Sequence, residues 1–141
     1  MRFMILRMAD PQTEAGRLPD ARMLALMGNY MEDLGKAGVL LGGEGLKSTA
    51  SGARVKFSKG KPRVIDGPFT ESKELIAGYL LLQVKSREEA VEWAKRWPPA
   101  DAEGELLLEV RPLFEAEDFG EEFTPELRAQ EERLRADAAR R

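Results

Sequence analysis

Four ionisable side chains, Asp66, Glu71, Lys73 and Glu74, fall within nine residues of one another. A carboxylate whose pKa is raised by burial can exchange a proton with a bound molecule, and a neighbouring lysine can hold an anionic group. The chain contains no histidine and no cysteine. That excludes an imidazole acid/base, a thiolate nucleophile, disulfides and thiolate zinc sites. Carboxylates are then the main catalytic resource, and Asp66, Glu71 and Glu74 are the candidate acid/base groups. A metal would need an all-oxygen site, and no calcium-loop spacing occurs, so neither a metal nor another cofactor is expected.

The local sequence says how these groups are presented. A β run ends at Ile65. In the turn Asp66-Gly67-Pro68, Asp can bond the backbone ahead of it, Gly permits unusual φ and Pro fixes its own. Asp66 is therefore expected to be mainly structural, with amide hydrogen bonds holding its pKa down. Phe69 should turn inward as an anchor. The charged residues beyond it are then presented beside Gly78-Tyr79, where a new apolar run opens.

The elements around this loop can be read in order. Residues 2–8 are apolar on both faces and predict an interior strand. Residues 9–19 read as a loop. A helix over 21–37 follows, capped by Asp20, with Leu24, Met27, Met31 and Leu34 on one face, Tyr30 beside them, and Gly38 as its stop. A short strand at 39–42 leads into Gly42-Gly43-Glu44-Gly45. These glycines mark either a bulge or a bend, or a place where Glu44 faces a pocket. Residues 53–65 predict a hairpin with Ala53, Val55 and Phe57 on one side. Its outer face is basic, most simply a solvated edge that discourages aggregation. A strand over 78–84 is apolar on both faces. Ser86 and Glu89 form a capping box for a helix to about Trp97, with Ala90, Val91, Ala94 and Trp97 as its core stripe. Residues 105–111 are the last strand, and a surface helix starts at Pro125.

Length and charge bound the rest. The 141 residues suffice for one domain with a real core. Residues 1–114 carry 17 basic and 16 acidic side chains, whereas residues 115–141 carry 5 and 9. A nearly neutral body with an acidic tail is a poor nucleic-acid surface. No apolar run approaches membrane-spanning length and the N-terminus does not read as a signal peptide, so a cytoplasmic protein without a membrane partner is expected.

The element order is β–α–β, a hairpin, then β–α–β. This predicts an α+β, ferredoxin-like domain over residues 1–112 with an acidic extension over 113–141. Two helices cover one face of such a sheet. The uncovered face, read from strict alternation, gathers Phe3, Ile5, Tyr79, Leu81 and Leu107 with Arg7, Gln83, Glu109 and Arg111. A face this apolar predicts a homodimer, sheet against sheet. The enclosed cavity would then hold a small molecule among Arg7, Gln83, Glu109 and Arg111; alternatively, Arg7, Glu109 and Arg111 pair with one another across the dimer.

Several motifs carry a resemblance to a known family: Gly43-Glu44-Gly45-Leu46, Asp66-Gly67-Pro68-Phe69 with the charged loop behind it, Gly78-Tyr79, and Glu109-Val110-Arg111-Pro112. Through most of residues 1–112 the chain resembles the DGPF branch of the YCII-related proteins. The resemblance implies a ferredoxin-like fold that pairs as a dimeric α/β barrel. It implies a small polar or anionic ligand, with Glu44, Phe69 and Tyr79 shaping the pocket and Lys73 or Arg111 holding its charge. Some members lacking this signature use a His–Asp pair for proton abstraction or elimination; near Met27, where that histidine would stand, this chain has none. The resemblance also offers a non-catalytic alternative, a regulatory module associated with an extracytoplasmic-function sigma factor.

Overall fold

A computed structural model describes residues 1–70 and 74–141. Glu71 and Lys73 lie outside the described residues. Four strands, β1 (Arg2–Met8), β2 (Leu40–Gly45), β5 (Ile76–Gln83) and β6 (Leu108–Pro112), form one sheet in the order β2-β5-β1-β6. Every neighbouring pair is antiparallel. Helix α2 (Ala21–Lys36) joins β1 to β2, and α3 (Arg87–Lys95) joins β5 to β6. This is the ferredoxin-like α+β arrangement. The strands β3 (Ala53–Ser58) and β4 (Lys61–Asp66) form a separate two-stranded hairpin inserted between β2 and β5.

Local chemistry accounts for the helix limits. The Asp20 carboxylate accepts from the Met23 amide at 2.8 Å, and Gly38 leaves α2 at φ +73°. Ser86 Oγ accepts from the Glu89 amide at 3.1 Å, while the Glu89 carboxylate accepts from the Lys85 amide. The stretch expected to be a loop contains a further helical turn, α1 (Pro11–Glu14). Asp10 caps it, accepting from the amides of Gln12 and Thr13, and Pro11 supplies its first position.

The core lies between the sheet and the two long helices. Phe3, Ile5, Leu34 and Leu82 are almost fully buried, each contributing about 1.5–3 kcal/mol through lost apolar exposure. Tyr30 of α2 packs on Trp97 with ring centroids 5.6 Å apart and donates its hydroxyl to the Trp93 carbonyl at 2.7 Å. Burial pushes the Tyr30 phenol up to about 12, against a smaller opposing effect of Arg96. Ala90 and Ala94 of α3 are buried as expected, but Leu24 of α2 is 59% exposed. The core stripe of α2 thus begins further along, at Met27.

The sheet faces differ from the reading by alternation. Phe3 pairs with Leu82, Ile5 with Leu80 and Arg7 with Gly78. Phe3, Ile5 and Arg7 therefore share the helix-covered face with Leu80 and Leu82. The open face instead carries Met4, Leu6 and Met8 of β1 with Tyr79, Leu81, Gln83, Leu107, Glu109 and Arg111. Alternation fixes which residues of one strand share a face, but only inter-strand register sets the phase between strands. Both faces of β1 are apolar, so its composition could not choose.

After β6, Leu113 donates its amide to the Arg2 carbonyl. Arg2 and Glu115 form an ion pair at 3.1 Å that ties the extension to β1. The Arg2 hydrogen bond is the chief cause holding the Glu115 carboxyl below its usual range. Helix α4 (Pro125–Ala139) closes the chain, and none of its residues is buried. Among the described residues no helix is long and apolar enough to cross a membrane.

Candidate functional site

A cavity of about 1030 Å³ opens between the first half of α2 and one end of the sheet. Met23, Leu26, Met27 and Met31 line it from α2, and Arg7, Gly43, Gly78 and Leu80 from the sheet. Three of these are methionines at four-residue spacing, which places flexible thioethers along one helix face. Such a wall adapts to ligand shape. Trp97 and Asp101 close one end, and Leu46, Lys47, Ser48 and Ser51 form the opposite rim.

The floor is ionic. The Arg7 guanidinium forms a two-pronged pair with Asp101, Nε to Oδ2 at 3.2 Å and Nη2 to Oδ1 at 2.7 Å. Nη1 donates to the Met8 carbonyl at 2.9 Å and lies 3.1 Å from the Asp10 carboxylate. The Trp97 indole donates to Asp101 Oδ2 at 2.9 Å. Arg7 is only 7% exposed. Burial works against both charges, yet the hydrogen bonds and mutual attraction outweigh it: Arg7 lies above its ordinary pKa and Asp101 below the usual carboxylate range. Geometry of this kind, with nearly every donor occupied, is what a buried pair requires. Ala102 and Glu103, just beyond Asp101, both adopt left-handed backbone at φ +54° and +56°. Each costs on the order of 1 kcal/mol, and the turn they build presents Asp101 to Arg7 and Trp97.

A second chain of bonds runs from this floor to the Asp66 turn. The Glu14 carboxylate accepts from the Thr49 amide at 2.8 Å and the Thr49 hydroxyl at 2.6 Å. Thr49 Oγ1 in turn accepts from the Phe69 amide at 2.9 Å, and the Gly67 amide donates to the Gly52 carbonyl. A Cβ at Gly67 would lie 1.7 Å from the Thr49 carbonyl oxygen, so only glycine permits this approach. The turn thus clamps residues 49–52, next to the rim at Lys47, Ser48 and Ser51. Phe69 is half-buried beneath the Arg54 guanidinium, which sits 3.9 Å from its ring centroid.

The expected site residues divide among these places. Arg7 lines the cavity; Glu44 and Tyr79 belong to its border, but they pair with each other, and Tyr79 with Leu6, which puts their side chains on the open face. Of the two expectations for the glycine-rich stretch, the backbone distortion has a counterpart, whereas Glu44 stands beside Tyr79 on the open face. Pairing with β5 shifts between Leu40 and Gly42, and a Cβ at Gly43 would meet the Leu80 side chain at 2.5 Å. Gln83, Glu109 and Arg111 lie on the opposite, open face, where Glu109 and Arg111 pair at 3.6 Å, both well exposed. Arg7 is not their partner; its partners are Asp101 and Asp10. Phe69 belongs to the turn clamp. Asp66 and Glu74 are exposed and do not line the cavity. Among the described residues no hydrogen bond reaches the Asp66 carboxylate, and the turn is held through Thr49.

The expectation missed Asp10, Glu14, Thr49 and Asp101. The Asp10-Pro11 pair was a legible helix start, since Asp caps and Pro fits the first turn. Nothing in the local pattern marks Asp101, whose partners are remote in sequence. Among the described residues no group of three or more acidic side chains is arranged to hold a metal.

These features define an α+β domain of ferredoxin-like topology with a helix-roofed cavity over an ionic floor. A family model described as the YCII-related domain matches residues 1–117, and the chain belongs to that family. An uncharacterized protein of Rhizobium meliloti (strain 1021) is 37% identical over 68 residues, which cover 48% of this chain and 54% of that protein. The match thus spans about half the length of that relative. Among solved structures, the 5-chloro-2-hydroxyhydroquinone dehydrochlorinase of Burkholderia phenoliruptrix, in complex with 2,5-dihydroxybenzoquinone, is similar with a TM-score of 0.47 and 18% identity. That match covers 84% of this chain and 98% of the dehydrochlorinase.

Proposed function

We propose that the chain is a homodimeric small-molecule-binding domain whose ligand is an organic anion with an apolar body. The observation that carries this reading is the cavity itself. Its wall is methionine and leucine, while Arg17, Arg22 and Lys47 stand around its opening. Apolar lining with a few charged groups is the usual make-up of a ligand pocket. Arg7 is occupied by Asp101 and Asp10, and Arg17 is held by Gln12 at 2.8 Å and Glu103 at 3.7 Å, so Arg22 and Lys47 are the cations offered to an anionic group. Glu44 borders the cavity but pairs with Tyr79 on the open face of the sheet, so it is not aimed at a ligand held under α2. Asp66, Glu71 and Glu74 would act only on a ligand long enough to extend beyond the rim.

The homodimer is supported by the open face, where Met4, Leu6, Met8, Leu81 and Leu107 form an apolar surface on the side without helices. Light scattering at micromolar concentration should give twice the chain mass; a monomer would remove this part of the reading.

The pocket is tested by a thermal-shift screen of aliphatic and aromatic carboxylates. Filling the cavity with Met27→Trp should abolish the stabilisation given by the best ligand. Arg22→Ala with Lys47→Ala should weaken it about fivefold to tenfold, the loss of surface-exposed charge pairs. A ligand that stabilises the parent and Met27→Trp equally binds elsewhere and sinks the assignment.

A second reading, a non-catalytic regulatory or partner-binding module such as one associated with an extracytoplasmic-function sigma factor, is favoured by one observation. Asp66 and Glu74, two expected acid/base groups, lie outside the cavity lining. Proton NMR of the ligand after prolonged incubation with the protein separates the two: a product indicates an enzyme, and an unchanged ligand the binding module.

A further inference from the structure

The β3–β4 hairpin and the segment after β6 are complementary in charge and in apolar content. Between residues 53 and 65 the chain has five basic side chains, Arg54, Lys56, Lys59, Lys61 and Arg63, and no acidic one. Between residues 114 and 127 it has six acidic side chains and no basic one. Among the described residues only Glu115 of the six is paired to the body, through Arg2. Both segments also expose apolar surface. Val55 pairs across the hairpin with Val64, and Phe57 with Pro62, so they share one face of it. Val55, Phe57 and Val64 are 57%, 66% and 64% exposed. In the later segment Phe114, Phe119 and Phe123 pack in a row as tilted pairs with centroids 5.0 and 5.5 Å apart, and Phe114 is 72% exposed.

A two-stranded hairpin is marginal in water unless something packs on its apolar face. β3 and β4 pack on each other, and among the described residues no other strand or helix packs extensively on either. We infer that the hairpin of one protomer docks on the acidic aromatic segment of a second copy, residues 114–126. This rests on the homodimer proposed above and adds the contact that would close it. The hairpin leaves the β2 edge of the sheet, and the acidic segment follows β6 at the other edge. A two-fold axis running along the strands between two facing sheets places the β2 edge of one copy against the β6 edge of its partner. Each hairpin then reaches the segment whose charge opposes its own, and the arrangement occurs twice per dimer. Charge pairing of this kind sets register and orientation.

The absence of cysteine makes the test direct. Phe57→Cys, labelled with heavy nitrogen, is mixed with unlabelled Phe119→Cys, and disulfide-linked peptides are identified by mass spectrometry. Both positions are exposed, and a thermal melt confirms that each variant folds. Links joining position 57 of one copy to position 119 of another are expected. In a companion experiment, Lys56→Glu with Lys61→Glu and Arg63→Glu should weaken the dimer about tenfold or more, equivalent to roughly 1.4 kcal/mol. Adding Glu117→Lys, Glu121→Lys and Glu122→Lys to the same chain should restore it. A parent that scatters as a dimer but gives no such link, with no loss on charge reversal, overturns the docking while leaving the homodimer intact. A monomeric parent overturns both. A Phe57→Cys/Phe119→Cys double variant that links within single chains, while the mixed single variants give no link, shows that the hairpin folds back on its own tail and also overturns the proposal.

Discussion

The two faces of the main sheet carry the same kinds of residue to different ends. On the helix side, Arg7 meets Asp101 and Asp10 in a site almost closed to water, with Trp97 completing the hydrogen bonds. On the open side, Arg111 meets Glu109 at 3.6 Å, and both side chains are at least half exposed. A buried, fully bonded pair leaves an uncompensated charge when one partner is removed, whereas an exposed pair is screened and costs little to break. An arginine–carboxylate pair near a cleft is therefore weak evidence of a site until its burial and donors are known. The exposed cations at the cavity opening are better candidates for ligand contact than the perturbed Arg7.

The largest effect should come from Asp101→Ala, which strands Arg7 and the Trp97 indole in the core. A loss of about 3–5 kcal/mol is expected by urea denaturation. A loss under about 1 kcal/mol would place this cluster with the surface pair and erase the contrast between the faces. The pH dependence sharpens the same point. The folded Asp101 carboxyl has a lowered pKa, so its contribution is present above the usual carboxylate range. It is lost as pH falls through the lowered value. In the less disruptive Asp101→Asn variant that acid-side loss should disappear.

Gly67→Ala should follow, at about 1–3 kcal/mol, because the added Cβ forces Thr49 away from the turn. The helix-side rim should feel it too, seen as weaker binding of the ligand that stabilises the parent. Unchanged melting and binding would mean that the clamp does not shape the cavity.

Tyr30→Phe should cost about 1 kcal/mol by removing the hydrogen bond to the Trp93 carbonyl. Its folded pKa is raised to about 12 from 10.0. The parent should therefore lose stability as pH rises from the unfolded value through the folded one, and the variant should lack that contribution. A parent and variant with the same alkaline profile would show that burial on the helix side is looser than the packing of Tyr30 indicates.

The smallest effect is expected from Glu109→Ala, under about 1 kcal/mol at low salt and less as salt rises. A larger, protein-concentration-dependent loss would show that the open-face pair is buried in the dimer, and the contrast would then hold for the isolated chain alone.

Much of this was legible in the chain. Alternating apolar residues marked the strands, Asp20 and Ser86 marked helix starts, and Asp66-Gly67-Pro68 marked a turn. Those are local effects of backbone geometry and capping, which neighbouring residues decide by themselves. The absence of histidine and cysteine, likewise, made carboxylates the main catalytic resource before any fold was considered. The phase of β1 against β5 was not local. Phe3 and Ile5 on one side and Met4 and Leu6 on the other are equally apolar, and hydrogen-bond register with Leu82 and Leu80 made the choice. That choice moved Arg7 from the open face to the cavity floor and gave it Asp101, a partner 94 residues away. The cavity itself exists only because α2 meets the sheet beside the 46–51 rim. No spacing along the chain encodes the gap between elements that pack together from distant positions.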